Sequence, residues 1–180
     1  MRIISWQLKP AIMILMLAIL LLFGIIILQN VHAAKEVRIP APNFQSEQWL
    51  NSAPKTLAAL RGKVVMVEFW TFGCYNCVNV EPYIKQWHSD YHKQGLEVIA
   101  VHTPEFSHEH DINNVRAYID KKKIQHAVAI DNDFKIWNSF NNRYWPAMYL
   151  IDKHGDIRYI KIGEGEYAQT QQRIVELLAE

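Results

Sequence analysis

The spacing of apolar residues changes several times along this chain, and each change marks an element. Residues 11–28, AIMILMLAILLLFGIIIL, are 18 successive residues without a charge. As a helix they measure about 27 Å, close to the roughly 30 Å of a bilayer's hydrocarbon layer. The run is longer than the roughly 7–15 apolar residues of a secretory signal, so residues 1–33 are read as an uncleaved signal-anchor; a cleavable signal ending near Val31-His32-Ala33 is the alternative. Arg2 and Lys9 on one side balance Lys35 and Arg38 on the other, so basic residues alone do not orient the span.

Residues 34–48, with Pro40 and Pro42, read as a linker, and 49–180 as one domain. Lys63–Trp70, KVVMVEFW, is a β-branched and aromatic run short enough for a buried strand. A helix over about 74–93 follows, with Val78, Tyr83, Ile84, Trp87 and Tyr91 near one face and Pro82 inside it. LEVIAVH at 96–102 is a second buried strand, 109–123 a polar-faced helix, HAVAI at 126–130 a short strand and 133–141 a helical stretch. AMYLID at 147–152 and IRYIKI at 157–162 flank a KHGD turn and make a hairpin. An amphipathic helix over 166–179 closes the chain. Strands alternating with helices, then a late hairpin, predict an α/β domain with a central mixed sheet and helices on both faces.

Charge changes this picture little. Beyond residue 33 there are 17 basic and 18 acidic residues, so no nucleic-acid footprint is expected. The run Lys121-Lys122-Lys123 lies at a helix C-terminus, where cations complement the dipole.

Cysteine changes it more. The chain has two cysteines, Cys74 and Cys77, in one tetrapeptide. So short a loop would make a poor structural staple, since a disulfide's effect grows with loop length. A structural zinc site would call for a second pair of ligands. The reading left is a bond made and broken in turnover. Cys74 falls where a strand hands over to a helix, and unpaired N–H groups at a helix N-terminus stabilise an anion such as a thiolate. Cys77 lies one turn deeper, within disulfide reach. Glu68, on the strand before, is placed by alternation beneath the helix start. A buried carboxyl group there can take and return the proton that Cys77 must lose. Pro146 stands immediately before the strand AMYLID, a strand entrance where a proline is tolerated; spacing alone leaves its bond cis or trans.

The segment FWTFGCYNCVNVEP at 69–82 resembles the active-site segment of the thioredoxin superfamily. VHTPEF at 101–106, NRYWPAMYLID at 142–152 and GEGEY at 163–167 are similar to its TlpA-like, DipZ-type extracytoplasmic branch. The resemblance covers roughly 57–178. It implies a thioredoxin-like fold and a thiol-disulfide oxidoreductase, a reductase by analogy with that branch. Cys74 is then the attacking thiol, Cys77 the resolving thiol, Glu68 the buried acid and Pro146 a cis proline. It also implies protein disulfides as substrates, a separate membrane electron donor, an extracytoplasmic or periplasmic site on the inner membrane, and no cofactor or metal beyond a redox-active Cys74–Cys77 disulfide. Gly73 departs from the tryptophan usual before the first cysteine, and Tyr75-Asn76 from the usual intervening pairs.

Trp70, Tyr75, Asn76 and Trp145 are the substrate-binding candidates, with Trp70 and Trp145 expected as an apolar rim and Trp87, Trp137 and Tyr149 as core. Two other functions fit less of the sequence. A thiol peroxidase shares Thr71-x-x-Cys74 and could use Arg143, but Val67 stands where its motif opens with proline. A copper-binding module would draw on His102, His108 and His110 beside the thiols.

Overall fold

The computed structural model describes residues 38–180, together with residues 12, 14–17, 19, 20 and 23. The chain divides into two units, Met1–Val37 and Arg38–Glu180. In the first, the described residues are helical, and apolar side chains such as Ile14, Leu15 and Leu20 stand exposed. Among the described residues no helix is long and apolar enough to cross a membrane. The anchor expected over 1–33 and the first residues of the linker otherwise lie outside the described residues.

The second unit is built on a sheet of seven strands among the described residues. In chain order they are β1 (Ile39–Pro40), β2 (Trp49–Leu50), β3 (Val64–Trp70), β4 (Leu96–His102), β5 (Ala127–Ile130), β6 (Ala147–Ile151) and β7 (Asp156–Ile162). They lie side by side as β1-β7-β6-β3-β4-β5-β2. β3, β4 and β5 run parallel, whereas β6 is antiparallel to both β3 and β7, which makes the sheet mixed, as expected. The helices are α1 (Tyr75–Tyr91), α2 (Ile112–Lys122), α3 (Lys135–Ser139) and α4 (Tyr167–Ala179).

All seven residues of β3 are buried, because the sheet is covered on both faces and continuous apolar runs replace alternation. Val65, Val67 and Phe69 join Trp137, Phe140 and Tyr149 on one side. Val64 and Met66 meet Ile84 and Trp87 of α1 and Ile174 and Leu177 of α4 on the other. Each such buried side chain contributes roughly 1.5–3 kcal/mol. Glu68 and Trp70 continue the even-numbered series, so the pleat delivers them to the α1 face at the strand's end.

Three expectations are corrected. The second half of the linker is part of the domain: β1 pairs with β7, Ala41 N donates to Gly155 O, Phe44 is buried, and Ser46 Oγ donates to Ile130 O. Two-residue strands carry no period to read, and Phe44 is apolar enough to hold the segment down. The buried face of α1 is Cys77, Val80, Glu81, Ile84 and Trp87, at helical spacing from the second cysteine, while Tyr83 is exposed. The helix read from 109 begins at Ile112, because the Asp111 side chain accepts from Asn113 N as its N-cap and residues 107–110 form a separate 3-10 turn.

Candidate active site

β3 ends at Trp70 and α1 starts at Tyr75, so the intervening loop delivers Cys74 as the helix N-cap. Its Sγ accepts a hydrogen bond from Cys77 N at 3.3 Å, the position of an orphan donor of the first turn. Its carbonyl accepts from Val78 N at 3.2 Å. Both cysteines are free thiols; Cys74 is half-buried and Cys77 is 3 % exposed. Burial pushes the Cys77 thiol up, with its hydrogen bond to Cys74 adding to the effect. One sulfur is therefore reachable and the other is held beneath it as a neutral thiol.

Glu68 is buried on the α1 side. Burial, and after it the charge of Glu81, push its carboxyl group up to about 8. At neutral pH it therefore mostly holds its proton. The Trp145–Pro146 bond is cis. Since Ala147 pairs with Phe69, this dipeptide sits beyond the end of β3, beside the cysteine loop. An open groove at that end is lined by Gly73, Cys74, Tyr75, Asn76, Glu105, Phe106 and Trp145. Tyr75 and Asn76 are exposed. Trp145 is half-buried, with Nε1 donating to Thr103 O at 3.0 Å and its ring against Trp137. Trp70 is the exception among the predicted rim residues: it is 5 % exposed and packs on His102 and Tyr118. As an even-numbered β3 residue it points inward with Glu68.

Sequence reading missed Glu109. Fully buried, its carboxylate accepts from Gly73 N at 2.8 Å, Glu105 N at 2.6 Å and Phe106 N at 2.9 Å. Burial works to raise its pKa, but hydrogen bonds from Thr71 and these N–H groups outweigh it and hold the carboxyl group below its usual range. The clasp explains Gly73, since a Cβ there would run into Glu109 Oε1 and push the carboxylate out of its hydrogen bonds. His102 lies under the same loop, Nε2 3.3 Å from Thr71 Oγ1, and burial lowers its pKa to about 4. Glu81 was also missed, although its place one turn after Cys77 is a readable signal. It accepts from Lys85 Nζ and from Tyr118 OH.

Of the residues the other functions would need, Arg143 is exposed and His108 stacks on Phe106. Among the described residues no group of three or more His, Cys, Asp or Glu side chains is arranged to hold a metal ion.

Comparison with known proteins agrees with this fold. The profile of the AhpC/TSA family matches residues 37–160. Protein DipZ of Mycobacterium tuberculosis is 43% identical over 133 residues, 72% of this chain and 19% of that protein. The chain thus spans about a fifth of the length of the first curated relatives it matches. Thiol-disulfide oxidoreductase YkuV of Bacillus subtilis is 27% identical over 146 residues, 81% of this chain and 98% of the relative. Among solved structures, a thioredoxin-like superfamily protein superposes with a TM-score of 0.73 at 28% identity, covering 79% of this chain and 97% of the other. The fold is thioredoxin-like.

Proposed function

The chain belongs to the AhpC/TSA family, and from that premise we propose that it is a thiol-disulfide oxidoreductase that reduces protein disulfides through a mixed disulfide on Cys74. The observation that carries this reading is the pairing of a reachable sulfur at a helix N-terminus with a buried thiol one turn below it. Relatives named thiol-disulfide oxidoreductase support it.

In the first step Cys74, as thiolate, attacks one sulfur of a substrate disulfide, and the other sulfur leaves with the electron pair. Glu68 first gives up the proton it holds at neutral pH; Cys77 then passes its own proton to the resulting carboxylate and attacks Cys74 Sγ. The Cys74–Cys77 bond forms, the bond to the substrate breaks, and the substrate leaves reduced by two electrons. A carboxylate whose pKa is raised is a stronger base than an exposed one, which suits a thiol that burial makes reluctant to ionise. Tyr75, Asn76 and Trp145 line the groove in which an extended polypeptide lies beside the sulfur, next to Pro146. A separate electron donor in the membrane returns the disulfide to the dithiol. The apolar run at 11–28 anchors the protein in the inner membrane with this domain on the periplasmic or extracytoplasmic side, where its substrates' cysteines oxidise.

Trapping tests the reading. Cys77→Ser should leave protein substrates covalently held on Cys74 in the membrane fraction, and deleting residues 1–33 should release the adducts into the soluble fraction. If no protein is trapped while Cys74 still reacts with small disulfides, protein substrates are excluded. Rapid peroxide consumption by the reduced wild type would instead favour a peroxidase.

A further inference from the structure

Beneath Cys77 lies a small cavity of about 10 Å³, lined among others by Glu68, Trp70, Cys77, Glu81 and His126. That is about the space one water molecule needs, provided it finds two to four polar partners. The walls supply them. Trp70 Nε1 and His126 Nδ1 are buried and have no hydrogen-bond partner among the described residues, on side chains 5 % and 3 % exposed. Two carboxyl groups complete the lining. Buried polar atoms left unpaired are destabilising, and one water in contact with both would satisfy them.

Glu81 joins this chamber to the surface. Its Oε1 accepts from Lys85 Nζ at 3.0 Å and its Oε2 from Tyr118 OH at 2.8 Å, with Lys122 Nζ 3.9 Å away. The side chains of both lysines are about one-third exposed. Glu68, 4 % exposed, lines the same chamber. We propose that Glu81 is the group through which Glu68 exchanges its proton with solvent, by way of one water molecule held between them, in the thiol-disulfide exchange on which this inference rests.

The step balances as follows. When Cys77 Sγ bonds to Cys74 Sγ and the substrate sulfur departs with its electron pair, the Cys77 proton passes to Glu68. Glu68 donates it to the water, the water passes one of its own protons to the Glu81 carboxylate, and Glu81 releases it on the side of Lys85, Tyr118 and Lys122. The proton that Glu68 holds at rest leaves by the same route before Cys77 attacks, so the second step itself depends on it. The titratable and charged groups around Glu68 are Cys74 at the N-cap of α1, Cys77, Glu81 and Lys85 from α1, Tyr118 and Lys122 from α2, and His126 ahead of β5. His126 is neutral in this range, since burial, followed by the charges of His88 and Lys85, lowers its pKa to about 3.

The test uses the full-length reduced protein with carboxyl-¹³C glutamate, titrated by NMR, and stopped-flow reaction with oxidised glutathione to time the two exchange steps. Glu81→Gln removes a like charge facing Glu68 and should lower the Glu68 midpoint by about one pH unit. It should also slow the second step, attack by Cys77, about tenfold and leave the first unchanged. Glu81→Asp should restore both. A second step at wild-type rate in Glu81→Gln, or a folded Glu81→Asp that restores nothing, overturns the proposal. Should Glu81→Gln not fold, Tyr118→Phe decides: a slower second step supports the route and an unchanged one overturns it. Absence of the first step in wild type would count against the exchange reaction itself, while the titration would still report whether Glu81 and Glu68 are coupled.

Discussion

Glu68 and Asp152 are both buried carboxyl groups, one opposite Met148 near the start of β6 and the other just past its end, yet their surroundings drive them apart. Asp152 is surrounded by donors: His154 N at 2.9 Å, Asp156 N at 3.0 Å and Arg158 Nη1 at 2.8 Å. Burial works to raise its pKa, but these bonds win and hold it below the usual range. At Glu68 burial acts first and the charge facing it is another carboxylate, so its pKa rises to about 8. Burial is common to both; the supply of donors sets the direction. One carboxylate stays ionised and pins the β6–β7 turn. The other can move a proton at neutral pH, and it is the one beside the sulfurs.

The comparison breaks most visibly at Asp152. Asp152→Ala should destabilise the domain by about 3–5 kcal/mol at neutral pH, because it strips a buried guanidinium of one partner and the turn of its acceptor. Arg158 keeps Glu180 at 2.9 Å, which favours the lower end of that range. The Asp152 contribution is present above its unfolded pKa and lost as pH falls through the lower folded one. Chemical denaturation of wild type and variant from pH 7 down to 3 measures both effects: the two curves should converge at acid pH, and parallel curves would contradict the donor argument.

Glu68→Gln should act in the opposite direction. A carboxyl group raised in the folded state binds its proton more tightly there than in the unfolded chain. Stability is therefore lost as pH rises from about 4.5 through about 8. The amide removes that loss, so the variant should be more stable than wild type at pH 7, by a margin on the order of 3 kcal/mol, and flatter across the window. The same variant should resolve mixed disulfides about a hundredfold more slowly. A protein made more stable and less active by one isosteric change is the signature of an acid kept for chemistry. A less stable Glu68→Gln would instead mean that the carboxylate is held by donors, as Asp152 is.

How much of this contrast the sequence discloses depends on how local each cause is. β3, β4 and the β6–β7 hairpin are legible because seven-residue apolar runs and a glycine turn are local signals. The cysteine pair is legible from its place between a strand and a helix, and the face occupied by Glu68 from two-residue alternation. The same alternation carries Trp70 inward with Glu68, against its expected place on the rim, since an aromatic beside a CxxC reads equally well as rim or floor. Glu81 is four residues past Cys77, but the aromatic Tyr83 next to Pro82 draws attention to the wrong helix face. Residues 38–48 join the sheet through one two-residue strand, too short to carry a period. Glu109 meets Gly73 across 36 residues of sequence, and only the folded loop brings them together.

Glu109 supplies the smallest and sharpest comparison, because it stands beside the cysteines as Glu68 does and is donor-rich as Asp152 is. If donors rather than location set behaviour, it belongs with Asp152. Glu109→Gln places an amide NH₂ against at least one of the three N–H groups that now meet carboxylate oxygens. The expected cost is about 2 kcal/mol at pH 7, shrinking as pH falls and wild-type Glu109 itself becomes protonated. Gly73 would then be free of its clasp, so alkylation of Cys74 should change severalfold while resolution by Cys77, which does not touch Glu109, keeps its pH profile. Thermal melts and iodoacetamide kinetics on the one variant read the two effects separately. A shifted resolution profile in Glu109→Gln would place Glu109 in the proton chemistry with Glu68 and undo the division between acids that hold the loop and acids that serve the sulfur.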